Sequence, residues 1–87
     1  MDVIITEMER EEIRLSFGAL LREKRQSLKI SQEELAFRSG LHRTYVGSVE
    51  RGERNLSLEY IFVFARALGC HPHELIPNLP QHTQSKM

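Results

Sequence analysis

Residues 43–51, with the sequence RTYVGSVER, combine guanidinium and hydroxyl donors with small side chains. On a helical wheel, Val46 and Val49 point to one side and define the buried face of a short helix. The opposite face carries small or donor-rich residues: Thr44, Gly47, Ser48 and Arg51, flanked by Arg43 and Tyr45. Side chains of this kind are suited to hydrogen bonding with base edges in the major groove of DNA. The predicted chemistry is therefore hydrogen-bonded recognition rather than catalysis.

Gly47 is an unfavourable residue within a helix, because glycine costs about 1 kcal/mol of helix propensity relative to alanine. Two explanations are compatible with the sequence: Gly47 allows a close approach to DNA, or it is a tolerated surface glycine. Arg43 could donate two hydrogen bonds to a guanine, which is worth about 1–3 kcal/mol of discrimination between bases. His42, just before the helix, is predicted to be a turn residue rather than a base reader.

The segment before this stretch must position it, and it carries the signals of a helix followed by a tight turn. Ser31 and Glu34 have the spacing of a capping box, and Gly40 stops the helix. The small Ala36 lets the second helix approach, Gly40 can adopt a positive φ in the turn, and the two valines fill the angle. This pattern predicts a helix-turn-helix, with an ordinary helical hairpin as the alternative.

Capping and stop signals divide the rest of the chain into further helices, and few strand signals compete with them. Thr6 and Glu9 have capping-box spacing ahead of an apolar helical stripe that ends near Leu28. Ser57 and Gly69 bracket a longer helix, and the segment HPHELI, with proline at its first helical position, predicts a short final helix. The predicted fold class is therefore all-α, a compact domain of five helices.

The composition of the chain fits one small domain. Of its 87 residues, 40% are apolar, which is enough for a globular core and too much for a wholly disordered chain. The single cysteine, Cys70, excludes an internal disulfide framework and is expected to be a small core residue in a reducing cytoplasm. The most apolar run is interrupted by Arg66 and is too short for a bilayer, so no membrane partner is expected.

The formal net charge is zero, but the charge is unevenly distributed. Residues 1–12 hold five acidic residues and one basic residue, which leaves an excess of four positive charges on the rest. A local basic face is compatible with phosphate contacts. We expect an acidic N-terminal extension at residues 1–12, helical in part, a DNA-binding and dimerisation domain at residues 13–77, and a flexible tail at residues 78–87. The sequence leaves open whether the extension joins the first helix smoothly or kinks at Ser16–Gly18.

The helix that follows Ser57 is apolar on more than one face, because several residues lie outside its inner stripe: Tyr60, Phe62, Val63 and Phe64. In so small a domain, such a helix is expected to share a face with a second copy. A single small domain also contacts few phosphates, so specific binding usually requires two half-sites. These considerations predict a homodimer.

Residues 17–76 resemble the Cro/C1-type helix-turn-helix (Xre-like) family of bacterial and phage regulators, on the pattern SQEELAFRSGLHRTYVGSVERGERNLSLEYIFVFARALG. Within that family, RTYVGSVERGERNLSL is similar to the controller proteins of restriction–modification systems, small dimers that regulate their own operon and the endonuclease gene. The resemblance implies a lambda-repressor-like domain and a cytoplasmic, nucleoid-associated bacterial or phage regulator without a cofactor. The partners it implies are double-stranded DNA, bound at a palindromic operator through the major groove, a second copy of the chain, and RNA polymerase.

The resemblance also implies roles for individual residues. The base-reading positions are Arg43, Thr44 and Ser48. The positions that bind backbone phosphates are Gln32, Tyr45, Arg51, Arg54 and Asn55, although Tyr45 could equally pack beneath the helix. A structural ion pair between Arg25 and Glu50 would hold the recognition helix against the first helix. The dimer interface would include Tyr60, Val63, Leu75, Ile76 and Pro77.

Several other functions compete with a restriction–modification controller. Within DNA binding, the alternatives are a phage-type repressor and a toxin–antitoxin regulator, and outside it a protein-interaction module that does not bind DNA. An enzyme is disfavoured, because no Ser–His–Asp or Cys–His set and no glycine-rich phosphate loop is evident. His71 and His73, with His82 beyond them, are interpreted as surface histidines around a proline cap rather than as metal ligands.

Overall fold

The structure, a computed structural model, describes residues 4–78. Its helices are α1 (Glu7–Ser27), α2 (Gln32–Ser39), α3 (Arg43–Glu50) and α4 (Leu58–Leu68), followed by a 3₁₀ turn (Pro72–Leu75). No strand is present between residues 4 and 78, and the prediction of an all-α helix-turn-helix fold is confirmed. Apart from Asn78, the tail predicted at residues 78–87 lies outside the described residues.

The predicted fifth helix is present only in part: Pro72 begins the final element as expected, but that element is a single 3₁₀ turn of four residues. Ile76 leaves this turn with extended backbone angles, φ −89° and ψ 118°. The next residue is Pro77, whose ring disfavours the α conformation of the residue before it. The proline that begins the turn and the proline that follows it therefore leave no room for a longer helix.

Helix α1 is continuous from Glu7 to Ser27, so the described part of the acidic extension joins it without a kink. The predicted capping box is present at its start. The Glu9 backbone N–H donates to Thr6 Oγ1 at 3.1 Å, and the Thr6 N–H donates to Glu9 Oε1 at 2.9 Å. The long helix makes the described chain elongated, with principal extents of 44 × 21 × 20 Å.

The core lies where α1, α2, α3, α4 and the 3₁₀ turn meet. Its fully buried side chains are Leu21, Leu35, Val46, Val49, Phe64 and Leu75. Leu75 was expected at the dimer interface, and that placement is wrong because the 3₁₀ turn inserts its side chain into the core of the same protomer. Cys70 packs against the core as predicted, and partial burial raises the pKa of its thiol.

An ion pair fastens the 3₁₀ turn to α1. Lys24 Nζ donates to Glu74 Oε1 at 2.7 Å, and the His71 backbone N–H donates to Glu74 Oε2 at 2.9 Å. These two hydrogen bonds lower the pKa of Glu74 from 4.5 to about 2. Because the folded-state pKa is depressed, ionised Glu74 favours the folded state above pH 4.5, and this contribution disappears as the pH falls toward 2.

Helix α1 approaches the backbone of α3 closely at Gly18. A Cβ atom at this position would lie 2.5 Å from the Val49 carbonyl oxygen and 2.6 Å from the Glu50 carbonyl oxygen. Both neighbours are backbone atoms, which cannot move aside as the end of a flexible side chain can. Glycine at this position therefore permits the helix contact that places α3.

We expect Gly18→Ala to destabilise the protein by about 1–3 kcal/mol, because an added methyl group would force α1 and α3 apart. This sign is opposite to the gain of about 1 kcal/mol that alanine provides over glycine in an unobstructed helix. Urea denaturation followed by circular dichroism measures the change. Arg22→Ala, at an exposed position of the same helix, is the control and should stay within about 0.5 kcal/mol of the parent. A Gly18→Ala variant as stable as the parent would contradict the close approach.

Candidate nucleic-acid interface

Helices α2 and α3 are joined by a turn of three residues, from Gly40 to His42. Gly40 has φ +71° and ψ 21°, the left-handed conformation that glycine adopts without strain. The Leu41 N–H donates to the Ala36 carbonyl at 3.0 Å and closes the end of α2. His42 caps α3, because its Nδ1 accepts a hydrogen bond from the Thr44 N–H at 3.1 Å. The turn-residue role predicted for His42 is thus observed, in the specific form of an N-cap.

The inner side of α3 is formed by Val46 and Val49, which are fully buried as the helical wheel predicts. Ala36 is also buried, on the facing side of α2, where a larger side chain would separate the two helices. The helix-turn-helix is therefore held by apolar packing between α2 and α3, and the opposite side of α3 faces away from the core.

A buried ion pair joins α3 to α1. Arg25 Nε donates to Glu50 Oε2 at 2.7 Å, and Arg25 Nη2 donates to Glu50 Oε1 at 3.0 Å. The Glu50 side chain is only 2% exposed, and its hydrogen bond raises the pKa of Arg25. This is the Arg25–Glu50 pair that the family resemblance implied, in two-point geometry. It fixes the rotation of α3 about its own axis.

Two further contacts complete the ion pair. Gln32 Nε2 donates to Glu50 Oε1 at 2.9 Å, and Arg25 Nη1 donates to the Ile30 carbonyl at 2.9 Å. Gln32, expected to contact a phosphate, thus uses its amide inside the protein in the structure. The network connects α1, the segment before α2, α2 itself and α3, and sequence reasoning had anticipated only its central pair.

Arg43 and Thr44 are exposed at the start of α3, where side chains can reach outward from the turn. Arg51, Arg54 and Asn55 are exposed at and beyond its end. Five of the eight residues expected to contact DNA are therefore accessible, at the two ends of α3.

Ser48 is an exception, and its expected place on the exposed face of α3 is wrong. Ser48 is buried, with only 5% of its surface accessible to solvent. The Ser48 hydroxyl donates to the Tyr45 carbonyl at 2.7 Å and accepts a hydrogen bond from Arg54 Nε at 3.0 Å. The helical wheel places Ser48 outward, but the chain after α3 folds back and the Arg54 side chain contacts it.

Gly47 is also buried, so it is not a surface glycine. A Cβ atom at position 47 would lie 3.3 Å from Arg51 Nη1 and 3.6 Å from Gln32 Oε1. Both are ends of flexible polar side chains, which lie across the helix at this point. Gly47 therefore makes room for Arg51 and Gln32 in the structure, a role that sequence reasoning did not consider.

Tyr45 packs against its neighbours. Its ring meets the Tyr60 ring edge-on, with centroids 5.6 Å apart and an interplanar angle of 83°. The Arg54 guanidinium carbon lies 5.4 Å from the Tyr45 ring centroid, within the range of a cation–π interaction. Partial burial raises the pKa of Tyr45. Of the two positions left open by the sequence, the structure shows the packed one, in which Tyr45 links α3 to α4 and to Arg54.

Arg51 forms an ion pair that sequence reasoning missed. Its Nε donates to Glu53 Oε2 at 2.9 Å, and its Nη2 donates to Glu53 Oε1 at 3.2 Å. The turn at Gly52, which has φ +78°, brings these two residues together. The pairing raises the pKa of Arg51 and lowers the pKa of Glu53. The RGE segment, in which a glycine separates an arginine from a glutamate, was the sequence signal that could have predicted this ion pair across a turn.

The histidines near the 3₁₀ turn form no metal site in the described structure. The rings of His71 and His73 stack with centroids 5.4 Å apart, and His82 lies outside the described residues. Between residues 4 and 78, no three histidine, cysteine or acidic side chains are grouped so that they could hold a metal ion. Over the same residues, every helix is too short or too polar to cross a membrane.

Comparisons with known proteins converge on one group. A model of the helix-turn-helix family matches residues 21–75. The control protein C.BamHI of Bacillus amyloliquefaciens is 49% identical over 65 residues, which are 74% of this chain and 80% of that protein. The restriction-modification controller protein C.AhdI from Aeromonas hydrophila has a crystal structure that matches with a TM-score of 0.70 and 55% identity, covering 71% of this chain and 94% of that one. The crystal structure of the hypothetical transcription factor NHTF from Neisseria matches with a TM-score of 0.73 and 34% identity, covering 88% of this chain and 86% of that one.

We expect Glu50→Ala to destabilise the protein by about 3–5 kcal/mol, because it leaves Arg25 buried without its carboxylate partner. Glu34→Ala is the matched control. It removes the Glu34–Arg38 pair, whose side chains are both more than 40% exposed, and should cost about 0.5 kcal/mol. Thermal and urea denaturation measure both changes. A loss below about 0.5 kcal/mol for Glu50→Ala would show that the ion pair does not hold α3 in place.

Proposed function

Because this chain belongs to the helix-turn-helix family of transcription regulators, together with the restriction–modification control proteins, we propose that it controls its own restriction–modification operon as a DNA-binding homodimer. It is a regulator and not an enzyme. The observation that carries the proposal is the presentation of Arg43 and Thr44, exposed at the start of a helix whose other side is held by Val46, Val49 and the Glu50 ion pair.

The start of α3 is the part proposed to enter the major groove. In helix-turn-helix proteins, the first residues of the recognition helix contact base edges. Arg43 can donate two hydrogen bonds to the O6 and N7 atoms of a guanine, and Thr44 can contact a neighbouring base. The backbone of α3 is already fixed by the ion pair, so little ordering of the helix itself opposes binding.

The residues at and after the end of α3 are proposed to bind the phosphate backbone. In the free protein, the Arg51 guanidinium bonds the Glu53 carboxylate, and Arg54 bonds the Ser48 hydroxyl. A phosphate that replaces these partners would draw Arg54 away from α3. The same movement would free the Ser48 hydroxyl, so Ser48 is proposed to contact DNA only after Arg54 has turned to a phosphate. Asn55 and the start of α2 at Gln32 would supply further phosphate contacts.

The dimer is proposed to form through α4 and the segment after the 3₁₀ turn. Tyr60 and Ile76 are exposed, and Val63 and Pro77 are partly buried. Leu75 is not part of this surface, since it belongs to the core of its own protomer. Two protomers joined in this way would present two recognition helices to the half-sites of a palindromic operator. The proposed place of action is bacterial or phage DNA in the cytoplasm, with RNA polymerase as a further partner.

We expect Arg43→Ala to weaken binding to the operator by about 5–150-fold, which corresponds to about 1–3 kcal/mol, and to relax preference at one base pair in each half-site. Arg51→Ala should instead weaken binding to all sequences and reduce the slope of log K against log salt. Mobility-shift titrations on the DNA upstream of the protein's own gene, with salt varied, measure both. Arg22→Ala, exposed on α1, is the control. If Arg43→Ala binds every site as the parent does, base reading by Arg43 is excluded.

We expect the parent protein to sediment as a dimer at micromolar concentration, and Ile76→Asp to sediment as a 10.1 kDa monomer, because a carboxylate would be buried against an apolar surface. Leu58→Asp, at an exposed position at the start of α4, is the control and should remain dimeric. Sedimentation equilibrium measures the mass. Equal masses for the parent and Ile76→Asp would contradict this interface.

A further inference from the structure

The described part of the N-terminal extension exposes large apolar side chains. Ile4 and Ile5 precede α1 and are exposed, and Met8 in its first turn is 80% exposed. Leu15, seven residues beyond Met8, lies on the same face of the helix and is half exposed. Glu11 and Glu12 are on either side of the line from Met8 to Leu15 on a helical wheel. We call the face formed by Met8, Glu11, Glu12 and Leu15 the acidic stripe.

Among residues 4–78, no segment folds back over the acidic stripe. Residues 7–27 form one continuous helix, and Thr6 caps it, so the extension keeps the direction of α1. The last residue of the stripe, Leu15, already touches the chain at Gly52, where an added Cβ would lie 2.6 Å from the Leu15 Cδ2 atom. The elongated shape of the described chain shows that the earlier residues project beyond this contact. The part of the chain that the structure describes thus leaves Met8, Glu11 and Glu12 uncovered, and a second molecule can supply the covering surface.

A groove with the opposite charge lies between the end of α2 and the outer side of α4. It is lined by Arg38, Ser39, Phe62, Val63, Arg66 and Ala67. Phe62 is 53% exposed and provides an apolar floor, and Arg38 and Arg66 are both exposed beside it. Arg38 bonds Glu34 through an exposed helical pair, which is a weak interaction, and Arg66 has no ion-pair partner among residues 4–78.

We propose that the acidic stripe of one copy of the chain docks into the α2–α4 groove of a second copy. Met8 and Leu15 would pack against Phe62, while Glu11 and Glu12 would approach Arg38 and Arg66. Charge decides against the alternative of two stripes packing together, because residues 1–12 carry a net charge of −4 and would repel each other. The residues of this contact lie outside α3 and outside the loop after it, although Leu15 adjoins Gly52 of that loop. The contact therefore goes beyond the proposed DNA binding and does not depend on it.

The stripe and the groove are different surfaces, so the contact is heterologous and can link one copy to the next. It borders the proposed dimer interface at Val63 but requires none of the residues after the 3₁₀ turn. Association through this contact should increase with protein concentration. It should weaken as salt is added, because the two glutamates approach Arg38 and Arg66, which are exposed to solvent.

Disulfide trapping tests the pairing of the two surfaces in the full-length chain. In a Cys70→Ser background, one chain carries Met8→Cys and the other carries Phe62→Cys. We expect the mixture to form a cross-linked heterodimer under mild oxidation in the absence of DNA. Arg10→Cys, on the opposite side of the same extension, replaces Met8→Cys as the matched control and should give at least tenfold less cross-linked product. A mixture that yields no more product than the control overturns the contact, whatever homodimers either chain forms alone.

Charge reversal provides a second test that retains Cys70. Well above the micromolar range in which the dimer forms, the parent should show a species larger than a dimer in sedimentation velocity without DNA. Glu11→Arg with Glu12→Arg in one chain, and Arg38→Glu with Arg66→Glu in another, should each lose this species. Mixing the two variants should restore it, because each supplies the surface that complements the other. Glu23→Arg, exposed on α1 outside the stripe, should have no effect. Loss without recovery on mixing would overturn the contact, and mobility shifts on operator DNA, measured separately, would show whether the DNA-binding proposal still holds.

Discussion

The Glu50 carboxylate is a buried charge that requires several partners at once, and the geometry of the recognition helix depends on meeting this requirement. Arg25 on α1 and Gln32 on α2 both bond it, and Arg25 also bonds the carbonyl of Ile30. An apolar contact between α1 and α3 would tolerate sliding or rotation, since packing is not directional. The two hydrogen bonds from Arg25 to the Glu50 carboxylate, which is 2% exposed, are directional and therefore resist both movements. Val46 and Val49 fill the space beneath α3, and the ion pair sets how α3 is turned above them.

The surface beyond this fixed helix is organised differently. Its arginines are held by contacts within the protein: Arg51 by Glu53, and Arg54 by the Ser48 hydroxyl and the Tyr45 ring. These contacts are exposed or only partly buried, so they are weak enough to be exchanged for phosphate oxygens. The backbone of the site is therefore preformed, whereas its arginines must break contacts within the protein before they can bind phosphates. Tyr45 also contacts Tyr60, which joins the proposed dimer surface to the recognition helix and to Arg54 in one continuous cluster.

The zero net charge of the chain conceals a separation of charge along its length. The acidic residues are concentrated in the extension that projects along α1, and the basic excess lies in the compact part. Local fields, rather than the total, determine which surfaces attract DNA and which attract another protein. The same separation explains why the chain can combine a surface suited to phosphates with an acidic apolar face.

Local signals were sufficient to locate the helices. Ser31, Ser57 and Gly40 act through hydrogen bonds to residues a few positions away, and periodicity places Val46 and Val49 in the core. The helix-turn-helix can therefore be predicted from local patterns alone. The Arg25–Glu50 pair was implied by resemblance, because residues 25 positions apart carry no local signal. Packing between distant segments, by contrast, is what covers Ser48 and Gly47, brings Leu75 into the core and leaves the last element as a single turn. A helical wheel describes one helix in isolation, whereas burial depends on which distant segments fold across it.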